Sequence, residues 1–173
     1  MFIVNTNNPA QTERFGAFLS RCLPLNAVVA LSGQLGSGKT TLVKGIAKGM
    51  GIKPEEVNSP SFVLMREYPG KDRTLFHCDL YRLEGVFQIA FLGLEDYFSR
   101  NGVLVIEWAQ KAAALLPQEY LRININVRGE LKRRLKCRAQ GKSYQKIIER
   151  LKVEYGELRI KQYKRKFQIT NSK

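Results

Sequence analysis

A three-layer α/β fold around a central, mostly parallel sheet is what this sequence predicts, and three observations predict it. Two continuous apolar runs, Ala27–Leu31 and Val103–Ile106, are bounded by breakers, the pattern of strands buried on both faces. Segments with helical spacing stand before and after the first run, as crossover helices must in a parallel sheet. The chain has 173 residues, 44% apolar and 25% charged, so it is long enough for about one domain and can bury a core.

The elements follow in order. After a short extended start, Asn8-Pro9-Ala10-Gln11 reads as a helix entrance, with Asn8 as N-cap, Pro9 at the first helical position and Gln11 reaching back as in a capping box. Phe15, Phe18, Leu19 and Cys22 form that helix's apolar stripe, and Pro24 ends it. The strand Ala27–Leu31 runs into a glycine-rich loop. Leu42, Val43, Ile46, Ala47 and Met50 then make a second helical face, closed near Gly49 and Gly51. Phe62–Tyr68 and Thr74–Asp79 read as strands joined by a turn at Pro69-Gly70-Lys71-Asp72, and Gln88–Phe98 as a helix.

Near the end, Leu121, Ile123, Ile125 and Val127 alternate with Arg122, Asn124, Asn126 and Arg128. After Gly129-Glu130, Leu131, Leu135, Cys137 and Ala139 alternate with Lys132, Arg134, Lys136 and Arg138. Period two on both arms predicts a hairpin with one oily and one basic face. Ser143–Leu151 reads as a last helix with Ile147, Ile148 and Leu151 on one side. From Lys152 the chain is basic, without clear periodicity, and is expected to be partly mobile. Residues 1–141 are thus expected to form the main domain and 142–173 a basic extension.

Charge and cysteine usage narrow the function classes. The formal net charge is +14, and residues 128–173 hold 16 of the 29 basic residues against 4 of the 15 acidic ones. Such a segment attracts polyanions, in a manner that salt weakens. Cys22, Cys78 and Cys137 are odd in number and lack C-x-x-C spacing, which argues against a disulfide framework and a structural zinc site. No apolar run approaches the roughly 20 residues that span a bilayer. Met1-Phe2-Ile3-Val4-Asn5-Thr6 has no secretory pattern, so a cytoplasmic location without membrane contact is expected.

The chemistry lies in Gly33-Gln34-Leu35-Gly36-Ser37-Gly38-Lys39-Thr40-Thr41, which matches G-x-x-x-x-G-K-[ST] between a strand and a helix. Glycines let successive N–H groups turn toward phosphate oxygens while the helix offers its positive end to the same anion. This makes the fold P-loop NTPase-like, with ATP and Mg²⁺ as the expected ligands. Lys39 is expected on the β- and γ-phosphates and Thr40 on the metal.

Such a site needs an acid on a neighbouring strand end, because Mg²⁺ takes oxygen ligands. Glu107 closes the second apolar strand, although a strand-end carboxylate can also be a surface or capping group. Asp79 is a second candidate, for the metal shell or the attacking water; the plainer reading is a loop-start carboxylate bonding backbone amides. His77, the sole histidine, reads as a packed strand residue. Trp108 reads as a base-stacking lid or a core anchor.

These blocks, together with Ser59-Pro60-Ser61-Phe62, His77-Cys78-Asp79-Leu80-Tyr81-Arg82-Leu83, Gly93-Leu94-Glu95-Asp96-Tyr97 and Val105-Ile106-Glu107-Trp108, resemble the ordered motifs of the bacterial TsaE (YjeE) family from about Thr12 to Gly141. The resemblance implies a small P-loop ATPase needed for N6-threonylcarbamoyladenosine at position 37 of tRNAs that read codons beginning with A. It implies TsaB and TsaD as partners, with ATP hydrolysis resetting the complex and TsaD doing the transfer.

By motif, Gly33, Leu35, Gly36, Ser37, Gly38, Lys39, Thr40 and Thr41 would hold the nucleotide. Thr40 and Glu107 would hold the metal, and Asp79, Glu107 and Lys39 would act in catalysis. Ser61, in a switch-like segment, stands where the family usually has Thr and keeps the hydroxyl; Trp108 would be a lid, and Thr12 would lie near the adenine. The basic end, with Tyr144, Tyr155, Tyr163 and Phe167, departs from the family and reads either as a tRNA-binding arm or as a solvated helix. Two other functions compete: a small P-loop kinase, and an RNA-binding protein with ATP as a structural ligand.

Overall fold

Two strands that are apolar up to their last residue, Ala27–Ser32 (β2) and Gly102–Glu107 (β5), sit side by side at the centre of a seven-stranded sheet. The computed structural model describes residues 1–170, with side chains through Leu158. Around the central pair the strand order is β1-β7-β6-β2-β5-β4-β3, where β1 is Phe2–Thr6, β3 Met65–Pro69, β4 Thr74–Asp79, β6 Tyr120–Val127 and β7 Arg133–Gln140. The inner strands β6, β2, β5 and β4 are parallel; β3 and β7 pair antiparallel with β4 and β6, and β1 antiparallel with β7.

One face carries the main core. The helices α1 (Pro9–Cys22), α2 (Lys39–Gly49) and α4 (Lys142–Thr170) cover it, burying Phe15, Leu19, Leu42 and Ile46 on Val29, Leu31, Val105 and Ile123. Glycines set the approach of α1 to α2: a Cβ built at Gly45 would stand 2.2 Å from the Glu13 carbonyl oxygen, and one at Gly16 2.6 Å from that of Leu42. Any larger residue would push the helices apart. The other face buries Val28, Ala30, Phe76, Leu104 and Ile106 under a thinner layer, the short helix α3 (Val86–Ala90) and 3-10 turns at Leu94–Tyr97 and Ala109–Ala112.

Several elements differ from the sequence expectations. Asn8 caps α1 by accepting from the Gln11 amide at 2.9 Å, but Gln11 reaches the Asn7 amide instead of that of Asn8. The strand expected from Phe62 begins only at Met65, since Leu64 turns at φ 65° and its N–H goes to Pro60; Phe62 is left 81% exposed. The helix expected over Gln88–Phe98 is cut by Gly93 at φ 59°, which separates α3 from a 3-10 turn. The second hairpin arm starts at Arg133, because residues 128–132 form the loop and leave Leu131 exposed.

The last helix also runs longer than Ser143–Leu151. Tyr144, Ile147, Ile148, Leu151 and Tyr155 are buried in one stripe, with Leu158 packed beside them. The Tyr144 hydroxyl accepts from the Val28 N–H at 2.8 Å, and Tyr155 stands edge-on to Phe15 and Phe2. Tyr163 and Phe167 lie outside the residues with described side chains. The three cysteines are buried and free. Among the described residues no helix is long and apolar enough to cross a membrane.

Candidate nucleotide-binding site

The site forms where β2, β4 and β5 end beside the start of α2. After Ser32 the chain makes the loop Gly33–Gly38, with Gly36 at φ 72° and Gly38 at φ 95°. These left-handed conformations suit glycine, and they point the loop's amides inward. The N-terminus of α2 has no side-chain cap and no acid in its first turn. Its free N–H groups and positive end are therefore available to an anion.

Alternation along the strands brings the acids to the same place. His77 and Asp79 share the face of Leu75, and Glu107 that of Val103 and Val105, the face against α2. The register sets Asp79 directly beside Glu107. Both are nearly fully buried. Glu107 Oε1 accepts from the Thr40 hydroxyl at 2.8 Å and from His77 Nε2 at 2.9 Å. Asp79 accepts from the Ser59 hydroxyl through Oδ2 and from the Tyr81 N–H through Oδ1 at 2.9 Å.

Opposite the acids, Lys39 Nζ donates to the carbonyls of Gly33 and Gln34 at 3.0 and 3.1 Å and lies 4.1 Å from the Trp108 ring centre. Burial pulls the Lys39 ammonium below the usual lysine range, and Glu107 and Asp79 oppose that shift. Trp108 is held at φ 58°, a strained value for a non-glycine residue, which aims its ring over the ammonium.

These groups enclose a cavity of about 370 Å³. Leu35, Gly36, Gly38, Lys39, Thr40, Thr41, Ser61, Asp79, Glu107 and Trp108 all line it, as do Ser59, Tyr81 and Arg82. Gly33 and Ser37 support the loop from behind. A Cβ at Gly33 would lie 2.5 Å from the Ile125 carbonyl oxygen, and the Ser37 hydroxyl is buried without a partner. Thr12 stands apart, buried with its hydroxyl 2.8 Å from that of Thr6.

The donor set fits a divalent cation held jointly with phosphate. No group of three or more His, Cys, Asp or Glu among the described residues could hold a metal alone. Two adjacent buried carboxylates with a hydroxyl beside an anion cradle supply hard oxygens, the ligands that Mg²⁺ takes together with substrate phosphates.

Besides the lining residues Tyr81 and Arg82, two residues behind the cavity take part in the site without a site role expected from the sequence. His77 bonds Glu107, although it was read as a packed strand residue. Arg133 donates through Nε to the Ser37 carbonyl at 3.0 Å and through Nη2 to that of Gly36 at 3.2 Å, while Nη1 serves the carbonyls of Gly129, Glu130 and Lys132. Its signal was present: Arg133 is a cation in the Leu135 and Cys137 series, where alternation calls for an apolar residue.

Comparison with known proteins agrees with this architecture. A family model described as "Threonylcarbamoyl adenosine biosynthesis protein TsaE" matches residues 6–135. The chain is 38% identical over 146 residues to a tRNA threonylcarbamoyladenosine biosynthesis protein TsaE of Bacillus subtilis, covering 84% of this chain and 90% of that protein. It is 40% identical over 116 residues to the TsaE of Treponema pallidum, covering 67% and 84%. A crystal structure of Bacillus subtilis YdiB superposes with TM-score 0.71 at 34% identity, over 87% of this chain and 93% of that one. The shared fold and the match over most of the sequence lead to one conclusion: this chain belongs to the TsaE family.

Proposed function

We propose that the chain binds and hydrolyses ATP with Mg²⁺ in the service of threonylcarbamoyl transfer to adenosine 37 of tRNAs reading codons that begin with A, in the cytoplasm and together with TsaB and TsaD. The observation that carries the ATPase reading is the Thr40–Glu107 hydrogen bond, which joins the phosphate loop to the strand-end acid. The names of the relatives, tRNA threonylcarbamoyladenosine biosynthesis proteins, support the pathway.

Each residue has a physical task. The loop amides and the N-terminus of α2 receive phosphate oxygens. Lys39 exchanges the carbonyls of Gly33 and Gln34 for phosphate, a stronger charge-assisted partner. Thr40 and Glu107 are the residues that would hold Mg²⁺, which neutralises phosphate charge when bound. Asp79, anchored by Ser59 and Tyr81, orients the attacking water. Trp108 covers the nucleotide.

The hairpin suits tRNA through its outer face. Arg122 and Arg138 stand directly opposite each other, Arg134 and Lys136 continue the row, and neither strand contains an acid. Like charges in register repel, and a polyanion relieves that repulsion. Tyr144 and Tyr155, by contrast, are buried in the core and offer no ring to a base.

The ATPase reading is tested by Lys39→Ala and Glu107→Gln. Lys39→Ala should weaken ATP binding by about 100-fold, the scale of a buried charge contact of roughly 3 kcal/mol. Glu107→Gln should still bind nucleotide in calorimetry but release phosphate at least about 100-fold more slowly. Unchanged phosphate release in both variants would refute the reading.

A further inference from the structure

We propose that His77 is a positioning residue for the site: it fixes the pose of the Glu107 carboxylate so that one of its oxygens is kept for the cation that accompanies the nucleotide. The inference rests on the Mg²⁺–ATP reading above and adds a residue to it. His77 is fully buried, on a strand that does not belong to the phosphate loop. Its Nε2 lies 2.9 Å from Glu107 Oε1, and its Nδ1 is buried without a partner.

That asymmetry bears on its role. A carboxylate only accepts, so the ring nitrogen that faces it, Nε2, is the donor, and Nδ1 is left buried without a partner. An imidazole present merely to fill space would be replaced at less cost by an apolar side chain, which leaves no buried polar atom unpaired. What the imidazole provides is one directed donor.

That donor lands where the Thr40 hydroxyl also lands. Both bonds end on Oε1, while Oε2 has no hydrogen bond among the described residues. Glu107 is therefore held from two elements, β4 through His77 and α2 through Thr40, with its second oxygen uncommitted. The hold from β4 is independent of the loop, so Glu107 keeps its orientation when Thr40 takes up a new partner. Asp79 lies two residues further on the same face of β4, so one strand poses both acids.

The test compares three substitutions by equilibrium binding of a fluorescent ADP analogue, once in excess Mg²⁺ and once in excess EDTA. Gln can bring its amide nitrogen near the place of Nε2; Asn stops short of it; Leu has no donor. Affinity in EDTA should stay within a few-fold of wild type in all three, since the loop amides are untouched. His77→Gln should keep the gain in affinity that Mg²⁺ gives, whereas His77→Asn and His77→Leu should lose about tenfold of it, the scale of one charge-assisted hydrogen bond.

Equal magnesium gain in all three variants and the wild type would overturn the proposal while leaving the ATP reading intact, and so would equal loss in Gln and Asn. A wild-type chain that binds no nucleotide, or gains nothing from Mg²⁺, would remove the parent reading and this one with it. Should His77→Leu fail to fold, the Gln and Asn pair decides alone, because those two differ only in reach.

Discussion

The inner and outer faces of the sheet handle charge in opposite ways. At the loop end of β4 and β5, two buried carboxylates, one lysine and one histidine are tied by directed hydrogen bonds to partners on other elements. On the outer face of β6 and β7, Arg122, Arg134, Lys136 and Arg138 are exposed or half-buried and stand in a row with no acid on either strand. Buried charges must be partnered because desolvation is expensive, and partnering them fixes geometry. Exposed charges are solvated and need none, so they act as a field. The first arrangement suits chemistry on one small anion, and the second suits attraction to a long one.

Arg133 is where the two regions meet, and its substitution is the strongest way to test their separation. Arg133→Ala should remove its guanidinium from five carbonyls, of which that of Lys132 keeps the Arg128 N–H, and lower stability by about 1 kcal/mol. ATP affinity should fall by roughly tenfold as the loop loosens, seen in a denaturant titration paired with nucleotide binding. Arg133→Lys should restore little, since a point charge cannot serve both the loop and the hairpin. Wild-type ATP affinity in Arg133→Ala would mean that the hairpin and the loop are independent.

A smaller effect should come from the outer face. Arg122→Gln combined with Arg138→Gln should weaken tRNA binding and flatten its log-log salt dependence by about 1.5–2, the loss of two phosphate contacts. The same double variant should be no less stable in thermal unfolding, because an opposed pair of like charges has been removed. Phosphate release without RNA should not change. A wild-type salt slope would instead assign RNA attraction to another part of the chain.

The smallest effect concerns the thiols. Burial pushes Cys78 and Cys137 up to about 12, and raises Cys22 as well. A thiol reagent at pH 8 should therefore label none of them in the folded chain and all three after denaturation. The sign for stability follows: the folded chain keeps these protons while the unfolded chain releases them near about pH 8.5, so stability should fall as pH rises from there toward 12. Rapid native labelling would show that the core around β4 and β7 opens readily.

How much of this was legible depends on the range of the interaction. The phosphate loop, the caps of α1, the two central strands and the hairpin alternation are local patterns, dictated by backbone conformation and by periods of 2 and 3.6 residues. Even Arg133 left a trace as a cation in an apolar series. The helix pattern over Gln88–Phe98, in contrast, was overruled by one residue, Gly93, in a left-handed turn, and Phe62 and Val63 found no strand to pair with. The tail misled through its composition: its lysines made Tyr144 and Tyr155 read as part of a basic arm, whereas both pack into the core beside Ile147, Ile148 and Leu151.

By itself the sequence determined that a strand, a glycine loop and a helix would cradle an anion, because those residues carry the necessary backbone freedom and N–H groups within nine positions. Only the tertiary structure decided which acids would face that cradle and what would hold them. Asp79 and Glu107 are 28 residues apart in the chain and become neighbours only because β4 and β5 pair in parallel register. His77 acquires a partner, and Arg133 a loop to brace, by the same route. Such contacts depend on strand order and register, which are set by the burial of the whole sheet and by no short stretch of residues.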